Sequence, residues 1–180
     1  MPGIFFTADS HHGHEKIIQL EMRPFATIQE MDETLVRNWN EVVAKGDLVY
    51  HLGDFGMGPG LPKIIERLNG CINLICGNHD NNNIWKIRKM FCSYLPYHEI
   101  TVDGQKIVLC HYPFRSWHNS HRGSWSLYGH CHGKVPSLGK SLDVGVMCHD
   151  WKPVSFERVK EIMAALPGFD IHDSPLDDDD

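Results

Sequence analysis

At 180 residues, with 42% hydrophobic and 22% charged side chains, the chain has the size and composition of one globular domain. It contains no run approaching the roughly 18 to 20 consecutive apolar residues of a membrane span. The net charge of −6 is concentrated at one end: residues 170–180 hold six Asp and no Lys or Arg, so the remainder is formally neutral. That remainder shows no long basic stripe, which argues against a processive duplex nuclease. We therefore expect a single domain over residues 1–169 and an acidic, disordered tail over 170–180. The opening residues lack the basic stretch and long apolar run of a signal peptide, so the cytoplasm is the expected location. The six cysteines include no C-x2-C pair, and we expect buried free thiols rather than a disulfide framework or a zinc ribbon.

Gly3–Thr7 reads as a short buried strand that ends in a polar cluster, Asp9-Ser10-His11-His12-Gly13-His14. Ile28, Met31, Leu35, Trp39, Val42 and Val43 then recur on one helical face, predicting a helix over 28–44 closed by Lys45-Gly46. A second strand over 47–52 runs into Gly53-Asp54, and a Gly/Pro-rich link leads to a helix over 61–68. A third strand over 71–76 runs into Gly77-Asn78-His79-Asp80, with a helix near 84–90 after it. This repeated order of strand, polar cluster and helix predicts a largely parallel sheet with a ligand crevice beyond the strand C-termini. In the second half, runs over 94–102 and 106–110 flank the hairpin signal Asp103-Gly104, and antiparallel pairing is expected to dominate. Further strands are predicted over 124–128 and 141–147, then a closing helix capped by Ser155.

Asp9-x-His11, Gly53-Asp54, Gly77-Asn78-His79-Asp80, His111 and Gly129-His130-x-His132 each fall at or near a predicted strand end. They offer imidazole, carboxylate and amide donors without thiolate, which suits divalent manganese, iron, nickel or zinc, with manganese expected first. The i, i+2 spacing in Asp9/His11 and His130/His132 points both side chains to one side of an extended backbone. The glycines before Asp54, Asn78 and His130 would let the chain turn sharply. Seven donors exceed one tetrahedral ion but suit two ions sharing a carboxylate, about 3.5 to 4 Å apart. Two divalent ions against Asp9 and Asp54 leave net positive charge, for which a phosphate ester is the natural ligand, attacked by a metal-activated hydroxide.

In order and content these clusters resemble the calcineurin-like metallophosphoesterase superfamily, whose pattern is D-x-H, G-D, G-N-H-D/E, H and G-H-x-H. The flanking Arg23-Pro24-Phe25 and the stretch Val49–Phe55 are similar to a compact bacterial and phage-type branch. The resemblance implies an α/β fold, a four-layer α/β-β-α sandwich of two mixed sheets flanked by helices. It assigns Asp9, His11 and His132 to one metal and Asn78, His111 and His130 to the other, with Asp54 bridging. His79 matches the catalytic histidine that serves the leaving-group oxygen or orients the phosphate. Relatives with G-D-x-x-D-R-G use a further Asp to orient that histidine; here the stretch reads Gly53-Asp54-Phe55-Gly56-Met57-Gly58, so protein serine/threonine phosphatase activity loses support.

Any one of these histidines alone reads as an ordinary surface or core residue; their order and completeness as a set point to a metal site. His12 and His14 stand as candidates for substrate binding or as plain loop residues. Asp80 is a candidate for the carboxylate that orients His79 in place of the missing one, and Asp143 for one that bonds a ligand histidine, against the alternative of a plain strand-start residue. The loop between the last ligand clusters offers Arg115 and Arg122 as phosphate clamps and Trp117 as a base-stacking ring, against the alternative that its tryptophans pack in the core. The expected function is binuclear hydrolysis of a phosphodiester, on a nucleotide or nucleic-acid end. The rivals are a phosphomonoesterase or dinucleoside polyphosphate hydrolase and, more remotely, an inactive interaction scaffold, whose mark would be missing ligands.

Overall fold

The computed structural model of the protein describes residues 2–80 and 82–168. The acidic segment anticipated at 170–180 lies outside the described residues. No helix among the described residues is long and apolar enough to cross a membrane.

The first half forms the strand-and-helix alternation that its pattern predicts. Strands β1 (Ile4–Thr7), β2 (Leu48–His51), β3 (Cys71–Ile75) and β4 (Ser93–Leu95) are parallel neighbours in the order β4-β3-β2-β1. A short antiparallel strand β9 (Val154–Ser155) adds to the outer edge of β1. Alternation along these strands separates two apolar layers. Val49, Ile72 and Leu74 face α2 (Ile28–Val42), α3 (Leu61–Ile65) and α4 (Asn82–Ile87), packing with Val36, Trp39, Leu61 and Ile84. Phe6, Leu52 and Ile75 enter the opposite layer. The predicted long helix begins where Thr27 accepts a hydrogen bond from the Glu30 backbone N–H at 3.1 Å. It stops at Val42, because Asp47 holds the Ala44 N–H at 2.7 Å and turns the chain toward β2.

The second sheet has the order β5-β6-β7-β8, from β5 (Tyr97–Val102), β6 (Gln105–Cys110), β7 (Trp125–Tyr128) and β8 (Ser141–Asp143). Ile107, Leu109 and Leu127 of this sheet join Phe6, Leu52 and Ile75 of the first in one core, which α5 (Phe156–Ala165) closes with Phe156, Val159 and Met163. Ser155 caps α5 as expected, accepting from the Arg158 N–H at 3.2 Å. The fold is the anticipated α/β arrangement of two mixed sheets with flanking helices.

Several local expectations change, and the strand expected over 141–147 ends at Asp143. The run over 94–102 divides at Pro96 into β4, which joins the first sheet, and β5, which joins the second. Proline removes a ladder donor and permits the chain to change sheets there. Antiparallel pairing is confined in this sheet to the β5–β6 hairpin; β6, β7 and β8 are parallel, because the connections over 111–124 and 129–140 are long enough for crossovers. Two elements carry no clear periodic signal, the short helix α1 (Lys16–Leu20) and strand β9. Finally, Cys71 and Cys92 form a disulfide. Parallel pairing of β3 and β4 brings their Cα atoms to 5.8 Å, which sequence spacing does not reveal. Of the remaining thiols only Cys110 is buried.

The ends of β2 and β3 are tied together by Asp80, whose buried carboxylate accepts from the backbone N–H groups of Asp54 (2.8 Å), Phe55 (2.9 Å) and Gly77 (2.9 Å). Asp80→Ala strands three buried donors, each costing about 1–3 kcal/mol when unsatisfied. We expect the metal-free variant to lose at least about 3 kcal/mol in urea denaturation, with Asp80→Asn intermediate. An unchanged midpoint for Asp80→Ala would show that the two strand ends hold their places without this carboxylate.

Candidate metal centre

All strands that carry the polar clusters end at one rim. Beyond β1 the chain pairs irregularly with the segment after β2: Asp9 N–H donates to Gly53 O, His11 N–H to Asp54 O and His12 N–H to Phe55 O, each at 2.9 Å. Along this ribbon Asp9, His11 and Asp54 have φ of 57°, 50° and 55°, and beyond β7 His130 and His132 have 68° and 50°. The expected extended backbone is therefore absent at the ligand positions. Left-handed residues, uncommon for side chains other than glycine, throw the i and i+2 groups into the cleft instead. The three glycines also divide their roles. Gly53 turns the chain with φ of 92°. Gly77 and Gly129 provide space: a Cβ at 129 would stand 2.8 Å from Asp9 Oδ2, and one at 77 would overlap the Asp54 main chain.

Two donor groups result. Asp9, His11 and His132 converge in one, and Asp54, His111 and His130 in the other, with donor atoms in each group within 4.8 Å of one another. Asn78 Oδ1 joins the second group, 3.0 Å from His111 Nε2. Asp54 Oδ2 faces both, at 3.6 Å from His11 Nε2 and 3.5 Å from His111 Nε2. His79 Nε2 lies 4.0 Å from the same oxygen, and its side chain is 43% exposed.

The electrostatics fit a bound cation. Both ring nitrogens of His11 are buried without a hydrogen-bond partner. Burial, reinforced by the Arg23 charge, pushes the His11 pKa far down, so its lone pair is available to a ligand-bound ion at neutral pH. Burial also lowers His111 and His132. Asp9 is raised well above the usual carboxylate range by burial and then by the negative charge of Asp143, which is the expected state of a carboxylate cluster whose counter-ion is a metal. The donor set, imidazole, carboxylate and amide oxygen, suits divalent ions of borderline or hard character.

Around this centre the other expected residues separate. His14 lines the cleft, its ring 5.9 Å from His79 and 5.5 Å from His11. His12 does not: it is buried, its Nδ1 lies 3.0 Å from Asp32 Oδ1 and its ring packs on Phe55, so it anchors the loop rather than a substrate. Trp117 is buried, its indole N–H donating to Ser124 O at 3.1 Å, which leaves no open face for a stacked base. Arg122 lies beside Gly104 and Lys106 at the start of β6, about 20 Å along that strand from His111 at its far end, so it is removed from the centre. Arg115 is exposed and makes none of the described contacts with the ligand groups. Asp80 and Asp143 act through backbone rather than on a ligand imidazole: Asp143 accepts from Gly133 N–H (2.9 Å) and Gly145 N–H (2.8 Å), fixing the chain just after His132. Two residues next to the centre carry no signal in the ligand motifs, Glu21, 3.6 Å from His132 Nδ1, and Arg23, whose guanidinium donates to Asp9 O at 2.8 Å.

The cavity over the centre is small, about 260 Å³, and is walled by Ile17 and Leu20 of α1 together with His14, His79 and the donor groups. Its volume lies below the usual range of small-molecule sites.

Similar proteins span most of this chain. An uncharacterised protein of Methanocaldococcus jannaschii is 34% identical over 174 residues, covering 91% of this chain and 92% of its own. The gene 66 protein of Mycobacterium phage D29 is 28% identical, covering 91% and 96%. The crystal structure of a protein of unknown function from Aquifex aeolicus superposes with a TM-score of 0.75 over 90% of this chain and all of its own, at 23% identity, and so shares the fold. Residues 4–142 match the calcineurin-like phosphoesterase superfamily domain, and the chain belongs to that superfamily.

Proposed function

We propose that the protein is a binuclear metal-dependent hydrolase of phosphodiesters, acting on a nucleotide or a nucleic-acid end. The observation that carries this reading is the position of Asp54, one carboxylate oxygen of which faces the ligand nitrogens of both donor groups. Asp9, His11 and His132 would hold one ion, and Asn78, His111 and His130 the other, with Asp54 between. Manganese is the first choice for both. When bound, such a pair supplies Lewis-acid charge for the phosphoryl oxygens and lowers the pKa of water.

The chain's own groups do the rest. Asp54 is fixed twice, by donating its N–H to Asp80 and by accepting the His79 N–H at 2.9 Å on Oδ1, so Oδ2 stays directed into the cleft. The same Asp54–His79 contact places the exposed imidazole at the mouth, within reach of a leaving-group oxygen, where it can deliver a proton. Ile17 and Leu20 give one side of the cavity an apolar wall.

Asp54→Asn is expected to lose metal from both positions and activity with it. His79→Ala should keep its metal content but lower kcat by roughly 10²- to 10⁴-fold on esters with alkoxide leaving groups, and much less on nitrophenyl esters. Elemental analysis beside the kinetics checks both; loss of a metal equivalent in His79→Ala would move His79 into the ligand set. The size of the cavity supports a second reading, a phosphomonoesterase. The ratio of kcat/KM for bis-nitrophenyl and mono-nitrophenyl phosphate decides: we expect the diester to be preferred, and preference for the monoester selects the second reading.

A further inference from the structure

We infer that the turn Glu21–Arg23 is a dedicated support for the Asp9–His11–His132 position and sets its metal affinity separately from that of the other position. The inference rests on the binuclear reading above. The turn closes α1, with the N–H groups of Glu21, Met22 and Arg23 donating to Ile17 O, Gln19 O and Ile18 O. Its two charged side chains then diverge, one to the carbonyls of Asp9 and of Ser10, just before His11, and the other to the His132 ring.

Arg23 turns inward and is 4% exposed. Its guanidinium donates to Asp9 O at 2.8 Å and Ser10 O at 3.0 Å, approaches Met31 Sδ at 3.5 Å and lies 5.5 Å over the Trp151 ring. Asp9 and His11 are both left-handed, and the two carbonyls that Arg23 holds lie in the arc between them. A planar fork that donates to consecutive carbonyls fixes the peptide orientations that aim Asp9 and His11 into the cleft. A buried cation is costly, and burying one against carbonyls behind the ligands is explained by what it positions.

Glu21 serves the third ligand. Its Oε2 is 2.6 Å from Lys134 Nζ and 3.6 Å from His132 Nδ1, while His132 Nε2 faces Asp9 Oδ1 at 3.9 Å. The carboxylate, at the edge of the cleft, thus approaches the ring from Nδ1, the nitrogen opposite the one that faces Asp9, where it favours the tautomer that leaves Nε2 free for a metal. The second position is supported by different groups. His111 Nδ1 bonds to Leu52 O at 2.8 Å, and Asp80 holds the backbone of Asp54 and Gly77. Glu21 and Arg23 are positioning residues for the first position, which meets the second through Asp9, whose carboxylate accepts the His130 N–H.

The test is calorimetric titration of the metal-stripped full chain with Mn²⁺ for wild type, Glu21→Gln and Arg23→Lys, with thermal melts of the stripped proteins alongside. Wild type should take up two equivalents. Each variant should bind one equivalent as wild type does and the other about 10- to 100-fold more weakly. Equal weakening of both equivalents, or no change in either, overturns the inference while leaving the binuclear reading intact. Uptake of fewer than two equivalents by wild type overturns the binuclear reading itself, and the inference with it. Should Arg23→Lys not fold, Glu21→Gln, at the edge of the cleft and outside the core, decides alone.

Discussion

A single carboxylate that accepts three backbone N–H groups organises this protein. Asp80 sits at the point where β2 and β3 have ended and their amides no longer have ladder partners, and it satisfies Asp54, Phe55 and Gly77 together. Burial raises its pKa, and the hydrogen bonds from Gly77 and Phe55 work in the opposite direction. Because this bond set spans two strand ends, the separation of Asp54 from Asn78 and His79 is fixed by main chain rather than by flexible side chains. The neighbouring close approaches follow: Gly77 has no room for a Cβ against Asp54, and Gly53 has none against the His111 ring.

The second organising feature is local strain gathered at the ligands. Five of the seven proposed ligand residues, Asp9, His11, Asp54, His130 and His132, have positive φ, a conformation that costs energy in side chains other than glycine. Such residues persist where surrounding bonds over-determine them. Here the bonds are Asp9 N–H to Gly53 O and His11 N–H to Asp54 O on one side, and His130 N–H to both Asp9 carboxylate oxygens on the other. The last of these links the loop after β1 to the loop after β7, so the two sheets of the sandwich meet chemically at the centre as well as through the apolar core between them.

These features explain what the sequence could and could not disclose. The ligand clusters and the strands that deliver them are legible because both are local: short β-rich runs ending in polar groups, and histidine and carboxylate types in a fixed order. The first sheet was readable for the same reason. Pairing between distant strands was less so, since nothing local distinguishes a parallel β6–β7 pair from an antiparallel one, or shows that Cys71 will face Cys92. Trp117 and Arg122 looked like substrate contacts by composition, but a loop long enough to cross from β6 to β7 buries one and carries the other to the far end of the strand. Extended backbone accounted for the i, i+2 spacing equally well on paper; only φ values distinguish it from paired left-handed turns. Glu21 and Arg23 were illegible as supports because α1, too short for a periodic signal, is what places them.

Exposure separates the chemistry of the centre from the choice of its substrate. Asp9, His11, Asp54 and His111 are almost wholly buried, whereas His130, Asn78 and His79 lie open. Asn78 and His130 belong to the second donor group, beside which Tyr112, 45% exposed, stands edge-on to His130 with ring centroids 4.8 Å apart. Across the cleft Leu20 and Met22 are exposed at the end of α1. On the proposed function, the bond to be cleaved would meet groups fixed by strand ends, while the remainder of the ester would lie between the Tyr112 ring and the aliphatic side chains at the end of α1. Chemistry set by main-chain geometry and selection set by exposed side chains can vary independently.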